Sequence, residues 1–216
     1  MLHYQTVSPD LHSALIKLME EPYFEKFLLV GGTALSLQLG HRQSVDIDFF
    51  SDQNYGEIEF PELEEVLKSN FAFVQSSFGN DLGFGCSWLV GQNLDAAIKL
   101  DTFYTDPFVY PPLIVDGIRM ASQKEIIAMK LEAISNAKRK KDFWDLHEIL
   151  ESQDLKECLN FYTARYPYSY SVNEILDNLG SVEQADNDFD PICLKGKHWA
   201  FIKEDLINAI KGFKKY

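Results

Sequence analysis

Cysteine is scarce and unpatterned. Cys86, Cys158 and Cys193 are the three in 216 residues, odd in number and far apart. That excludes a disulfide framework and any paired-cysteine zinc spacing, and predicts free thiols in a reducing cytosol. Long apolar runs are missing as well. No stretch reaches membrane-spanning length, and the N-terminus lacks the basic-then-apolar order of a secretion signal. The expectation is a cytoplasmic protein with no membrane partner. Positive charge is in deficit. Against 33 Asp and Glu stand 20 Lys and Arg, a net charge of −13. This excludes broad, non-specific nucleic-acid binding but leaves room for a local basic groove. Lys138-Arg139-Lys140-Lys141 and the tail lysines Lys211, Lys214 and Lys215 are the candidates, each also readable as solvated helix charge. No Walker loop or dinucleotide glycine fingerprint occurs, and His147-Glu148 lacks the second His of a zinc protease. Asp186-x-Asp188-x-Asp190 fails as a calcium loop because Pro191 stands where the sharp turn needs Gly.

What is present is concentrated between Leu28 and Ser51. Leu28–Val30 reads as a buried strand, then Gly31-Gly32 opens a short helix, Thr33–Leu39, that Gly40 stops. Paired glycines let backbone N–H groups approach an anion at that helix N-terminus. A second strand, Val45–Phe50, carries Asp46 and Asp48 with only Ile47 between them. Strand residues i and i+2 share a face, so the carboxylates stand side by side and repel unless a cation intervenes. Asp is also depleted in strands, which makes the pair costly as plain architecture. Hard oxygen ligands on a short segment suit Mg²⁺.

The rest of the chain divides into two regions. Helices are expected at Pro9–Met19 and from Pro61 to Leu67. Strands are expected at Phe71–Phe78 and Leu82–Val90 around a Gly79-Asn80-Asp81 turn. Leu94–Tyr104 should be the longest strand, and Ile114–Met120 a hairpin turning at Asp116-Gly117. Ser122-x-x-Glu125 reads as a capping box opening a long helix. Further helices are expected near Asp142 and at Leu155–Ala164, Val172–Leu179 and Trp199–Phe213. The expected fold is α+β, with a mixed-sheet core over residues 1–121 followed by a C-terminal helical bundle over 122–216.

Gly31-Gly32-Thr33-Ala34-Leu35 followed by Arg42-x-Ser44-x-Asp46-Ile-Asp48-Phe49 resembles the first motif of the AbiEii toxin family, nucleotidyltransferases of the DNA polymerase β-like superfamily. Lys130-Leu-x-Ala133 and Lys141-Asp142-Phe-x-Asp145-Leu146 are similar to that family's helical motif. Lys141 stands where Arg is commoner, and Ala137 sits near a place where Arg is frequent, with Arg139 as a substitute. The resemblance covers Leu28 to about Leu150. It implies a nucleotidyltransferase core. Asp46 and Asp48 would ligate Mg²⁺ carrying a nucleoside triphosphate. Gly31, Gly32 and Thr33 would contact phosphates, and Lys130 would neutralise the triphosphate as pyrophosphate leaves. Arg42, Ser44, Lys141, Asp142 and Asp145 join the nucleotide-binding candidates. It further implies a toxin paired with an antitoxin, acting on an RNA acceptor such as tRNA.

A polymerase β-like site needs a third carboxylate, because two metals about 3.5–4 Å apart want a shared clamp and a base. Asp101, on the face opposite Ile98 and Leu100, is the choice, and Asp95 is the rival on the same face. Lys130 falls on a helix stripe with Ile126, Ala133 and Ala137, so it either snorkels or reaches an anion. In one straight helix Lys141 would lie about 16 Å from it. Either the helix breaks near Asn136–Lys138 or the two serve different substrates. Asp142 and Asp145 also have a structural reading, as i, i+4 partners of Lys138 and Lys141. Among other Asp-x-Asp chemistries, a dehalogenase-type phosphatase wants a long apolar strand before the pair, and a glycosyltransferase leaves the glycines unexplained. Transfer to a small molecule or protein, a kinase-like reaction, and a non-catalytic binding module remain alternatives on the same fold.

Overall fold

Alternation of side chains along Asp46–Ser51 sets the architecture. Ile47 and Phe49 point into the apolar core, while Asp46 and Asp48 point the other way. In the computed structural model, which describes residues 1–76 and 83–213, this strand lies at the centre of a seven-stranded mixed sheet. The strands are β1 (Leu28–Leu29), β2 (Asp46–Ser51), β3 (Phe73–Ser76), β4 (Gly85–Gly91), β5 (Ile98–Tyr104), β6 (Leu113–Val115) and β7 (Ile118–Met120). Their order is β3-β4-β5-β2-β1-β7-β6. β2 runs parallel to β5 and antiparallel to β1, and β1 is parallel to β7. Behind β2, Phe49 meets Phe24 and Phe27 at ring centroid distances of 5.4 and 6.3 Å.

The helices are α1 (Pro9–Glu20), α2 (Gly31–Leu39), α3 (Phe60–Asn70), α4 (Gln123–Ala137), α5 (Lys140–Leu150), α6 (Leu155–Arg165), α7 (Val172–Gly180) and α8 (Trp199–Phe213). The α+β expectation, a mixed sheet first and helices after it, is met. One continuous apolar cluster runs through both regions, from Leu2 to Ile210.

Several local expectations hold for their stated reasons. Asp116 and Gly117 both have positive φ (53° and 80°), which is what a two-residue hairpin turn requires. Gly40 ends α2 in the left-handed conformation at φ 69°. Helix α4 does break. Lys138 takes φ 47°, and α5 starts afresh at Lys140.

Others need correction. The long strand expected over Leu94–Tyr104 is interrupted, because Leu94–Ala96 forms a 3-10 turn capped by the Asn93 side chain and β5 begins at Ile98. The helix expected from Thr33 starts two residues earlier, at Gly31. Ser122 accepts the Glu125 amide N–H, but Glu125 does not return the bond. Its carboxylate is buried against Arg165 and accepts the amides of Val109 and Tyr110. A full capping box occurs instead at Ser171–Glu174. The Gly79-Asn80-Asp81 turn lies outside the described residues.

Candidate active site

β2 and β5 are paired in register, Asp48 against Asp101 and Asp46 against Lys99. Because paired residues of adjacent strands share a face, the three carboxylates form one group on the sheet surface. They line a cleft of about 460 Å³ whose far wall is α4, through Ile126, Met129, Lys130, Ala133 and Asn136. Asp101 therefore stands beside Asp48, whereas Asp95 sits in the 3-10 turn before the strand, exposed.

Helix α2 points its N-terminus at the same place. Val30, its N-cap residue, offers no side-chain cap, so the first backbone N–H groups are left for an anion. Gly31 has φ 67°, and a Cβ built on it would lie 2.3 Å from Asp48 Oδ2. Its lack of a side chain is what lets the carboxylate and the helix end approach. A Cβ on Gly32 would meet the Arg42 guanidinium at 2.6 Å.

Thr33 and Ser44 shape the loop. The Thr33 side chain is fully buried, its hydroxyl between Ser44 Oγ (2.8 Å) and the Asp46 carbonyl. Its hydroxyl thus ties α2 to the start of β2, and with the side chain buried its backbone is what remains for a phosphate. Ser44 lines the cleft.

Lys130, Arg42 and Asp142, all in the cleft lining, converge with the fully buried Asp145. Arg42 grips Asp145 with both ends of its guanidinium, Nε to Oδ1 at 2.6 Å and NH2 to Oδ2 at 2.8 Å. His41 Nε2 adds a contact to Asp145 Oδ1 at 2.7 Å. Lys130 Nζ reaches Asp142 Oδ1 at 2.7 Å and Asp145 Oδ2 at 2.6 Å. Arg139 Nε completes the set on Asp142 Oδ2 at 2.8 Å. The i, i+4 pairings of Asp142 with Lys138 and Asp145 with Lys141 do not form. Arg139, the N-cap residue of α5, is a local i, i+3 partner, while Arg42, His41 and Lys130 come from other elements to carboxylates that are both fully buried. Lys130 does not snorkel. The anions it reaches are these carboxylates, and at 5% exposure it is a buried cation at the cleft wall. Lys141 stays half-exposed, its Nζ 3.8 Å from Asp46 Oδ2. His41 was not anticipated. Only its place between the helix-ending Gly40 and Arg42 could have drawn attention to it.

Electrostatics separates the two groups of aspartates. Burial disfavours ionisation of Asp145, yet Arg42 and Lys130 hold its carboxyl well below the usual range. Burial likewise opposes ionised Asp142, and Lys130 with Arg139 overcomes it. Lys130 keeps its charge in spite of burial because of those two carboxylates. Asp48 behaves oppositely. Burial, then the charges of Asp101 and Asp46, push it up to about 6. Asp101 Oδ2 takes Lys99, while its buried Oδ1 has no hydrogen-bond partner. Among the described residues no three His, Cys, Asp or Glu side chains are drawn together in ligand geometry. The donor set nevertheless fits a hard divalent cation: three oxygen-bearing side chains on two rigid strands, one carboxylate destabilised by its neighbours, and one buried acceptor oxygen unpartnered.

Residues 13–211 match the family model of the nucleotidyl transferase AbiEii toxin, type IV toxin–antitoxin system. The chain belongs to this family. It is therefore a nucleotidyltransferase of the AbiEii toxin type. An uncharacterised protein of Aquifex aeolicus is 28% identical over 217 residues, 94% of this chain and 96% of its own length. Among solved structures, the fold is shared with JHP933 of Helicobacter pylori, at TM-score 0.61 and 17% identity over 99% of this chain and 90% of that one. It is shared too with MenT4, a nucleotidyltransferase toxin of Mycobacterium tuberculosis, at TM-score 0.54 and 13% identity over 93% and 82% of the two chains. No helix among the described residues is long and apolar enough to cross a membrane.

Proposed function

We propose that this AbiEii-family protein binds a nucleoside triphosphate with Mg²⁺ and transfers its nucleotidyl group to an acceptor hydroxyl on RNA, tRNA-like in form, acting as a cytoplasmic toxin held in check by a cognate antitoxin. The observation that carries the reading is the meeting of Asp46, Asp48 and Asp101 with the uncapped N-terminus of α2 in one cleft.

Asp46 and Asp48 would hold Mg²⁺, with Asp101 joining them at a second ion when the triphosphate is present. When bound, the metal offsets phosphate charge and eases deprotonation of the attacking hydroxyl. The N–H groups at Gly31 and Gly32 would receive the triphosphate oxygens. Asp101, part of the cleft lining, would accept the hydroxyl proton. The acceptor oxygen forms a bond to the α-phosphorus, the α–β phosphoanhydride bond breaks, and pyrophosphate departs with that electron pair. Positioning and electrostatics supply most of the acceleration in such in-line displacement. Lys141 is available to the phosphates. Lys130, Arg42, Asp142 and Asp145 bind one another at the cleft wall. Their ion pairs hold two buried cations, Arg42 and Lys130, in place, so Lys130 would be a positioning residue rather than a free phosphate-binding arm.

Incubation with each labelled triphosphate, Mg²⁺ and total RNA tests this. Label is expected in RNA in the presence of Mg²⁺ and none with a chelator. Label incorporation indifferent to Mg²⁺ would contradict the metal role, and label passing only to protein or small molecules would contradict the RNA acceptor.

A further inference from the structure

The cations in and around the cleft are held in two different ways. Arg42 and Lys130 are buried against Asp142 and Asp145. Arg139 is half-exposed but grips the fully buried Asp142. Lys140, inside the basic run 138–141, is buried too. Its Nζ donates to the carbonyls of Asp186 (3.1 Å) and Asp188 (2.5 Å) and pairs with Asp190 Oδ1 at 3.0 Å. The acidic run that fails as a calcium loop is thus folded around a lysine ammonium. Parting any of these contacts leaves a buried charge short of a partner, which is costly.

Lys99 and Lys141 are held differently. Both line the cleft, with side chains 47% and 42% exposed. Lys99 Nζ pairs with Asp101 Oδ2, two residues along β5, and Lys141 Nζ lies 3.8 Å from Asp46 Oδ2. Each reaches its carboxylate on a flexible four-carbon stem, and such an exposed pair is parted at little cost. Lys99 is also the cross-strand partner of Asp46, so its ammonium belongs to the carboxylate face of the sheet. Asp101 therefore has Lys99, and Asp46 has Lys141. Among the described residues Asp48, the neighbour of both aspartates, has no cation paired to it.

An ammonium on Asp101 offsets carboxylate repulsion but also opposes a bare divalent cation seeking the same oxygen. A divalent cation already carried by a triphosphate belongs to a complex of net negative charge, which the same ammonium attracts. One lysine thus acts with opposite sign on the two forms of the ion. We propose that Lys99 is an exchangeable counter-ion of the aspartate group, holding Asp101 against a bare divalent cation and yielding to one that arrives on a triphosphate. The proposal rests on the nucleotidyl-transfer reading and adds to it a residue that selects the form in which the metal enters.

The test uses the full chain, wild type, Lys99→Met and Lys99→Arg, with Lys211→Met, a surface lysine in the last turn of α8, as the control for net charge. Mn²⁺ stands in for Mg²⁺ because the EPR signal of the free ion reports its binding without nucleotide. Calorimetry then gives the affinity for each of the four ribonucleoside triphosphates in Mn²⁺. Lys99→Met is expected to bind Mn²⁺ alone roughly fivefold more tightly, the upper value for losing an exposed pair, and to bind the Mn²⁺-bearing triphosphate roughly fivefold more weakly. Lys99→Arg and Lys211→Met should match the wild type in both. Unchanged or weaker Mn²⁺ binding in Lys99→Met would overturn the counter-ion role. So would a change of both affinities in the same direction, or an equal gain in Lys211→Met. Wild-type protein that binds neither Mn²⁺ nor any Mn²⁺-bearing triphosphate would overturn the transfer reading beneath it.

Discussion

Asp48 and Asp101 are direct cross-strand partners on the parallel pair β2–β5, and Asp101 is the strongest of the charges that raise Asp48 toward pKa 6. Two carboxylates so placed oppose folding in the absence of a cation. Asp48→Asn keeps the shape and removes one charge. Nucleotidyl transfer should fall by more than about a hundredfold, since a metal-holding charge is lost. Thermal stability in chelator should stay level or rise, because the repulsion is relieved. Scanning calorimetry with and without Mg²⁺ checks the second part. A clearly destabilised Asp48→Asn protein in chelator would mean that the ionised carboxylate is structural.

Lys130 carries a different expectation. A snorkelling lysine could be truncated at little cost to the fold, but here its ammonium sits between Asp142 and Asp145. Lys130→Ala leaves two buried carboxylates short of one cation, although Arg42 and Arg139 remain. A loss of about 3 kcal/mol is expected, the low end for breaking a buried pair. Urea unfolding measures it, and a loss under about 0.5 kcal/mol would match an exposed pair instead.

Gly31→Ala should separate activity from stability. The added methyl meets Asp48 Oδ2 at 2.3 Å, and the left-handed backbone costs about 1–2 kcal/mol. Displacing a site carboxylate by about 1 Å can cost on the order of a hundredfold in rate. The variant should fold, melt a few degrees lower and lose most of its transfer. Full activity in Gly31→Ala would show that the helix end and Asp48 do not act together.

Acid should act through Asp142 and Asp145. Both have folded-state pKa values below their unfolded ones. Between the depressed values and about pH 4 the unfolded chain binds more protons than the folded one, so stability falls as pH falls through that window and is fully present above it. Chemical denaturation from about pH 4 down to pH 2, below the window in which Asp48 takes up its proton, should show this decline, and Asp145→Asn should flatten it. A slope unaffected by Asp145→Asn would assign acid unfolding to other carboxylates.

The legible parts of the site were those set by short-range rules. Two-residue parity placed Asp46 and Asp48 together and chose the face of Asp101, and the glycine pair marked the end of α2. Where side chains choose partners across the fold, spacing misled. Lys138–Asp142 and Lys141–Asp145 looked like helix-surface pairs, yet α5 is buried on that side and its aspartates answer to Arg42, His41, Lys130 and Arg139. Asp95 kept the strand parity of Asp101 but not the strand, because Asn93 capped a turn after it. The acidic run at 186–190 gave no sign that Lys140 would occupy it.

The most direct measurement is labelled-nucleotide transfer by wild type, Asp48→Asn and Asp101→Asn side by side, at saturating triphosphate, Mg²⁺ and RNA. The expected result is metal-dependent transfer by the wild type and its near-complete loss in both variants, with all three proteins folded. Transfer that survives either substitution at close to the wild-type rate would contradict the three-carboxylate site.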